Sequence, residues 1–300
     1  MKTQMEFKSG FISIVGKPNV GKSTLLNRLA GSKISIITKK PQTTRNAIKA
    51  IITTDKYQMI FIDTPGIMKP KNKLGEYMVK TALESLNEVD LILFMVEGTD
   101  LHPQNEDIEI INKLKEKKTP VFLLINKIDI AEKDRIFSLM SEYNRLMEFT
   151  DIIPISAATG EGLEILLHKI ENVLPYGPKY YPDDIITDQP EKAIAAEIIR
   201  EKFFMLLKQE IPYGIGVEIT HFKEREGKNI LDIEANIYCE KESQKGIVIG
   251  NNGKLIKKAG TLAREEIEYL FGIKVNLKLW VKTKNDWRNN VRMLKTLGYA

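Results

Sequence analysis

Short apolar runs alternate with longer amphipathic stretches from Phe11 to Val173: FISIV (11–15), AIKAIIT (47–53), MIFID (59–63), LILFMVE (91–97), VFLLIN (121–126) and IIPIS (152–156). Most of the intervening segments carry helical spacing, such as Leu83, Leu86 and Val89, or Ile108, Ile111 and Leu114. Continuous apolar strands separated by helices predict an α/β domain: a mostly parallel sheet with helices on both faces. The runs at 47–53 and 59–63 have no helix between them, so they predict one antiparallel hairpin and a mixed sheet.

The pattern breaks at YGPKYYPDDIITDQP (176–190), where no period survives and prolines gather, as expected of an interdomain linker. The order of elements then changes. A long helix over about 191–210, striped by Ile194, Ile198, Phe203 and Leu207, precedes two alternating strands, VEITHFKER and NILDIEANIYC. A helix–turn–helix around Ile249–Leu270, a strand VNLKLWV and a tail helix follow. Strands grouped together with helices at the ends predict a smaller α+β domain. The expected organisation is therefore residues 1–175, a linker at 176–190, and a second domain at 191–300.

Composition adds bounds. At 300 residues, two domains are the natural expectation, and 43% apolar with 28% charged residues is ordinary for a globular protein. No apolar run approaches the ~20 residues of a membrane span, and the first ten residues lack a signal-peptide core. The single cysteine, Cys239, excludes a disulfide framework and suits a reducing cytoplasm. A net charge of +5 permits a nucleic-acid partner without requiring one.

Directly after FISIV comes Gly16-Lys17-Pro18-Asn19-Val20-Gly21-Lys22-Ser23, with Thr24 opening the helix TLLNRLA. This is G-x-x-x-x-G-K-[ST] between a strand and a helix, the context that marks a phosphate-binding loop. Backbone N–H groups and the helix N-terminus would surround the β-phosphate, Lys22 would reach the β- and γ-phosphates, and Ser23 would ligate Mg²⁺. The base has its own signal: VFLLI leads into Asn126-Lys127-Ile128-Asp129. Asp129 can accept the two adjacent donors of guanine, a pair adenine lacks. Lys127 would lie along the ring and Asn126 would tie this loop to the phosphate loop. The turn Ser156-Ala157-Ala158 after the next strand would offer a backbone N–H to the guanine O6.

Asp63-Thr64-Pro65-Gly66 follows the strand MIFI. Asp63 would hold Mg²⁺ through water, and the Gly66 N–H would meet the γ-phosphate and release it after hydrolysis. The polar loop KKPQTTRNA supplies Thr44, or next to it Thr43, as a second hydroxyl on Mg²⁺. Lys22, Thr44, Gly66 and Asn19 are thus the residues expected to act on the reacting phosphate. The position after Gly66, where small regulatory GTPases carry a water-positioning glutamine, is Ile67. Unaided turnover is expected on the order of 10⁻³ s⁻¹ or below. Asn19 with an apolar residue after D-x-x-G resembles the potassium-stimulated GTPases, which implies K⁺ as an activator of hydrolysis.

In the second domain, Ile249-Gly250-Asn251-Asn252-Gly253-Lys254-Leu255-Ile256 reads I-G-x-x-G-x-x-I between two helices. The glycines let backbone press against phosphates, while Ile249 and Ile256 form an apolar floor for splayed bases. Lys245, Lys254, Lys257 and Lys258 make a local basic patch. The element order matches a type II KH domain, whose loop clamps about four nucleotides of single-stranded RNA.

Taken together, GKPNVGKS, PQTTR, DTPG, NKID and ISA, followed by VIGNNGKLIK and a terminal LWVK…LGY, resemble the bacterial Era family of GTPases over essentially the whole chain. The resemblance implies a GTPase acting in assembly of the 30S ribosomal subunit. It also implies binding near the 3′ end of small-subunit rRNA and peripheral association with the inner face of the cytoplasmic membrane. A cytoplasmic monomer is expected. Two other readings compete: a GTPase whose KH-like module binds a protein or membrane surface, and a P-loop kinase, in which N-K-x-D has no role. His102, His168 and His221 are scattered without metal-ligand spacing, and Cys239 ends an apolar strand as a core residue. Trp280 and Trp287 lie near the KH floor, where either could stack a base, but packing of the last strand and helix is the preferred reading.

Overall fold

The computed structural model describes residues 7–36, 40 and 44–299. They form two compact units. The first takes in residues 7–35, 44–69 and 78–188; the second takes in Ile36, Lys40, 70–77 and 189–299.

The first unit is built on six strands, β1 (Lys8–Val15), β2 (Ile48–Thr53), β3 (Tyr57–Asp63), β4 (Leu91–Glu97), β5 (Val121–Asn126) and β6 (Asp151–Pro154), in the order β2-β3-β1-β4-β5-β6. All neighbours are parallel except β2 and β3, which form the expected antiparallel hairpin. Alternation along the strands sorts side chains into two cores. Leu91, Leu93 and Met95 of β4 face one side with α1 (Lys22–Ala30) and α5 (Leu163–Val173). Ile92, Phe94 and Val96 face the other with α3 (Asn105–Leu114), α4 (Lys133–Leu146) and the last turns of α2 (Lys73–Glu84). A sheet covered on both faces explains why these strands read as unbroken apolar runs. Chain order reverses at β1, and in such sheets ligands bind beyond the strands' C-terminal ends at that point.

Residues 176–188, aperiodic in sequence, are held on the β2–β3 hairpin. Gln58 is fully buried; its Oε1 accepts the N–H groups of Tyr180 (2.7 Å) and Tyr181 (3.0 Å), and its Nε2 donates to the Tyr181 carbonyl (2.8 Å). The Ile51 N–H donates to the Ile186 carbonyl (2.9 Å), and Lys49 pairs with Asp188 (2.7 Å).

The second unit carries α6 (Glu191–Leu206), β7 (Gly216–Glu224), β8 (Ile230–Cys239), α7 (Glu242–Ile249), α8 (Lys254–Phe271), β9 (Lys274–Thr283) and α9 (Val291–Thr296). Its sheet runs β7-β8-β9, antiparallel then parallel, with Ile233, Ala235 and Ile237 packed against α6 and α8. Ala259 and Ala263 keep α8 close to that core. Cys239 is buried there, as expected. Trp287 is also buried, its indole N–H donating to the Gly214 carbonyl (2.8 Å). Trp280 departs from the packing expectation: Leu279 and Val281 take the core face of β9, so the indole between them points outward and is 43% exposed. The polar residues of α6 also depart from a simple stripe. Arg200 is buried against Glu197 (2.5 Å), and Lys202 is buried with Glu201 (2.8 Å) and Glu266.

Gln58→Leu should orphan three backbone groups of the 180–181 segment and cost about 2 kcal/mol. Urea unfolding measures the loss, and faster protease cleavage within 176–188 locates it. The Lys49 amine is held above its ordinary value, chiefly by its bond to Asp188, against the opposing effect of burial. Its folded value exceeds the unfolded one of 10.5, so the contribution is complete below that pH. It fades only as pH rises through the folded value, so protease resistance should hold across neutral pH.

Candidate functional site

The parallel register aligns the C-terminal ends of four strands, and the GKPNVGKS, DTPG and NKID motifs lie there. Ile14 of β1 is level with Asp63, and Glu97 of β4 with Asn126 of β5. The loop 16–23 turns off β1 into α1. Lys22 is buried, and its Nζ donates to the carbonyls of Gly16 and Lys17, both at 3.0 Å. Burial lowers its pKa to about 8, with the charge of Asp63 opposing. Asn19 stands exposed on the crest in a left-handed conformation (φ 67°), which asparagine tolerates better than most residues. Val20 turns its side chain into the core, leaving only its backbone to the site.

Beside the loop, hydroxyls gather on one carboxylate. The Ser23 hydroxyl donates to Asp63 Oδ2 (2.7 Å) and lies 2.9 Å from the Thr44 hydroxyl, which is 3.4 Å from the same oxygen. Ser35, which the sequence reading did not single out, donates to Asp63 Oδ2 at 3.1 Å. Its loop is pinned by Asn27 of α1, whose Oδ1 accepts the N–H groups of Ile34 (3.0 Å) and Ser35 (2.8 Å). Asp63 is fully buried, burial raises its pKa, and Oδ1 has no partner among the described residues. An orphan carboxylate oxygen beside two or three hydroxyls is a hard-oxygen set that suits Mg²⁺. Among the described residues no three His, Cys, Asp or Glu side chains converge on a metal position. Thr43 lies outside the described residues.

Thr64 is buried with its hydroxyl on the Ile14 carbonyl (2.8 Å), so it anchors the strand end instead of facing the loop. A Cβ on Gly66 would lie 2.7 Å from the Pro18 nitrogen, a close approach only glycine permits. Ile67 is buried in the core, its N–H donating to the Gly16 carbonyl (3.3 Å), and brings no polar group to the site.

Asn126 joins three loops. Its Nδ2 donates to the Val20 carbonyl (2.7 Å), and its Oδ1 accepts the Ala157 N–H (2.9 Å). That N–H, expected from the sequence to be offered to a base carbonyl, is therefore already engaged within the protein. Ser156 donates to Asp129 Oδ1 (2.7 Å), orienting an otherwise exposed carboxylate. Lys127 has left-handed backbone (φ 69°) and an ammonium paired with Glu97. Arg28, at the end of α1, donates to the carbonyls of Ala157 and Ala158. Neither Glu97 nor Arg28 belongs to a motif.

In the second unit, Gly250, Asn252 and Gly253 all have positive φ (75°, 51° and 74°), and the turn closes through Gly253 N–H to the Gly250 carbonyl (3.0 Å). Asn251, Asn252, Lys254, Lys257 and Lys258 are exposed, and Ile249 and Ile256 half-buried. Lys245 differs: it pairs with Glu242 (3.3 Å). The arrangement sets backbone N–H groups and the N-terminus of α8 beside three lysines, chemistry suited to phosphate.

Residues 11–127 match a family model described as a 50S ribosome-binding GTPase, and residues 210–288 match one for the KH domain. The chain is 55% identical to GTPase Era of Ruminiclostridium cellulolyticum and 56% identical to that of Caldicellulosiruptor saccharolyticus, covering 98% of each chain in both comparisons. It superposes with a TM-score of 0.94 and 43% identity on Era in complex with MgGDPNP and nucleotides 1506–1542 of 16S ribosomal RNA, covering 98% of this chain and 99% of that one. An Aquifex aeolicus Era variant bound to GDP and AlF₄⁻ gives the same TM-score and identity over 98% and 100%.

A Cβ at Gly21 would lie 2.2 Å from Asn126 Nδ2, on backbone at φ 110°. Gly21→Ala should therefore destabilise the first unit by about 2–3 kcal/mol. Urea unfolding checks the loss, and release of a fluorescent GDP analogue should accelerate in parallel.

Proposed function

We propose, for a chain that belongs to the Era family of GTPases, that residues 16–24, 63–66, 126–129 and 156–158 form its GTP site and that the 249–258 loop and helix hold RNA. The observation that carries the nucleotide assignment is the convergence of Ser23, Thr44 and Asp63 beside a buried lysine parked on loop carbonyls. Ser23, Thr44 and Asp63 would hold Mg²⁺, which when bound offsets charge on the β- and γ-phosphates. Lys22 exchanges two backbone carbonyls for phosphate oxygens, a stronger, charge-assisted contact. Asp129, steadied by Ser156, accepts the guanine donors, and Lys127, held by Glu97, lies over the ring.

Hydrolysis transfers the γ-phosphoryl group to water. Ile67 cannot orient that water, so the chain's contribution is positioning and charge: Lys22, the Gly66 N–H and the loop amides. Slow turnover suits a switch. Asn19 on the loop crest is the residue we assign to a K⁺ ion that adds charge beside the phosphates. The domain limits proposed are 1–175, 176–190 and 191–300.

The second unit would bind small-subunit rRNA near its 3′ end, in the course of 30S assembly. The support is the exposure of Asn251, Asn252, Lys254, Lys257 and Lys258, the KH match, and the relative crystallised with 16S rRNA. We further propose a cytoplasmic monomer that meets the membrane only peripherally; among the described residues no helix is long and apolar enough to cross one.

A Cβ at Gly253 meets only Ile256 Cγ2, at 4.0 Å, so Gly253→Asp has room while adding a charge that repels phosphate. Crosslinking in cells should place the wild type at the 3′ end of small-subunit rRNA and lose that signal in Gly253→Asp but not in the uncharged Gly253→Asn. Reads indifferent to the charge would overturn the assignment. GTP turnover should be faster in KCl than in NaCl, and Asn19→Ala should erase the difference; equal rates for the wild type would remove K⁺ from the mechanism.

A further inference from the structure

Both shoulders of the 16–23 loop are fixed from elsewhere in the first unit. Asn126 holds the Val20 carbonyl on one. On the other, Lys17 turns its ammonium to Asp100 Oδ2 (2.5 Å) and Asp107 Oδ2 (3.4 Å). Asp107 is fully buried in the first turn of α3. The same oxygen accepts the Tyr143 hydroxyl of α4 (2.9 Å) and the Gln104 N–H (3.2 Å), so two helices and a loop set its position. Lys17 in turn carries one of the two carbonyls that receive Lys22, and its neighbour Gly16 carries the carbonyl that receives both Lys22 and the Ile67 N–H. The 16–17 backbone therefore lies between a buried clamp and the ammonium that meets phosphate.

We propose that Asp107 is a positioning residue for nucleotide binding: acting through Lys17, it holds the 16–17 backbone in its phosphate-receiving conformation before nucleotide arrives. The inference rests on the reading of residues 16–24 as the phosphate site. Ordering the loop in advance removes a cost that binding would otherwise carry. The clamp touches neither base nor γ-phosphate, so its loss weakens every nucleotide bearing a diphosphate by the same factor. A contact common to ground and transition states changes affinity and leaves saturated turnover nearly alone.

The test compares Asp107→Asn, Lys17→Met, their double variant and Lys17→Arg, measuring affinity for GDP, IDP and GTP, turnover at saturating GTP, and the thermal midpoint. GDP, IDP and GTP should each bind roughly tenfold more weakly to both single variants, within the range of coupled neighbours. Saturated turnover should change far less. The double variant should be no worse than Lys17→Met, and Lys17→Arg, which keeps a cation for both carboxylates, should recover affinity. Unchanged affinity in a folded Lys17→Met, losses that add in the double variant, or a loss confined to guanine would each overturn the proposal. If Asp107→Asn fails to fold, Lys17→Met and Lys17→Arg decide alone, since Lys17 lies at the edge of the network. Lys22→Ala separates the two levels. Binding lost there but kept in Lys17→Met rejects only the clamp, whereas binding kept in both rejects the phosphate-site reading itself.

Discussion

The carboxamide of Asn126 is where three separate loops become one surface. It has no water to fall back on, so its donor and acceptor must both be met by protein, and they are met by Val20 and Ala157. Releasing either would leave a buried polar group unpaired at about 1–3 kcal/mol. The amide is itself set by the end of β5, level with Glu97 of β4, so sheet register decides where the residues proposed to meet the base stand. Gly21 completes the constraint, because any side chain there would occupy the amide's position. The proposed base site is thus an extension of the parallel sheet, fixed by the same bonds that close the core.

The proposed phosphate side is constructed on the opposite principle. Lys22 and Asp63 are ionisable groups buried with incomplete partners: one rests on carbonyls with a lowered pKa, the other keeps an orphan oxygen and a raised pKa. Burying such groups costs stability unless a counter-charge completes them. The fold accepts that cost where phosphate and a divalent cation would supply what is missing. Strain of this kind belongs to sites that respond to a ligand, whereas the satisfied amide belongs to the frame against which the response is measured.

Much of this was legible because it is local. Strand runs, the helix that opens after Ser23 and the glycines at 16, 21, 250 and 253 follow from backbone needs that a short window contains. The residues that escaped notice work across distance. Asn27, Arg28, Ser35, Glu97 and Asp107 sit in unremarkable positions on helices, a loop or a strand end, and each gains its role from a partner outside its own element. In α6 the apolar stripe was legible but the burial of Arg200 and Lys202 was not: Glu197 and Glu201 on the same helix, and Glu266 from α8, pair with them. Trp280 departed from packing because the strand's alternation turned it outward.

The 176–188 segment has a bearing on how the chain survives its own synthesis. In the order β2-β3-β1-β4-β5-β6, β2 is an outermost strand, and an unpaired edge is a template on which another chain can add a strand. The Ile186 carbonyl takes the Ile51 N–H, and Asp188 draws Lys49 down beside it, so the edge is blunted by the protein's own chain. That cover is made last: every strand of the sheet leaves the ribosome before it. A newly made first unit therefore passes through an interval with its sheet complete and one side open to aggregation, which ends only when the segment that leads into the second unit has been synthesised.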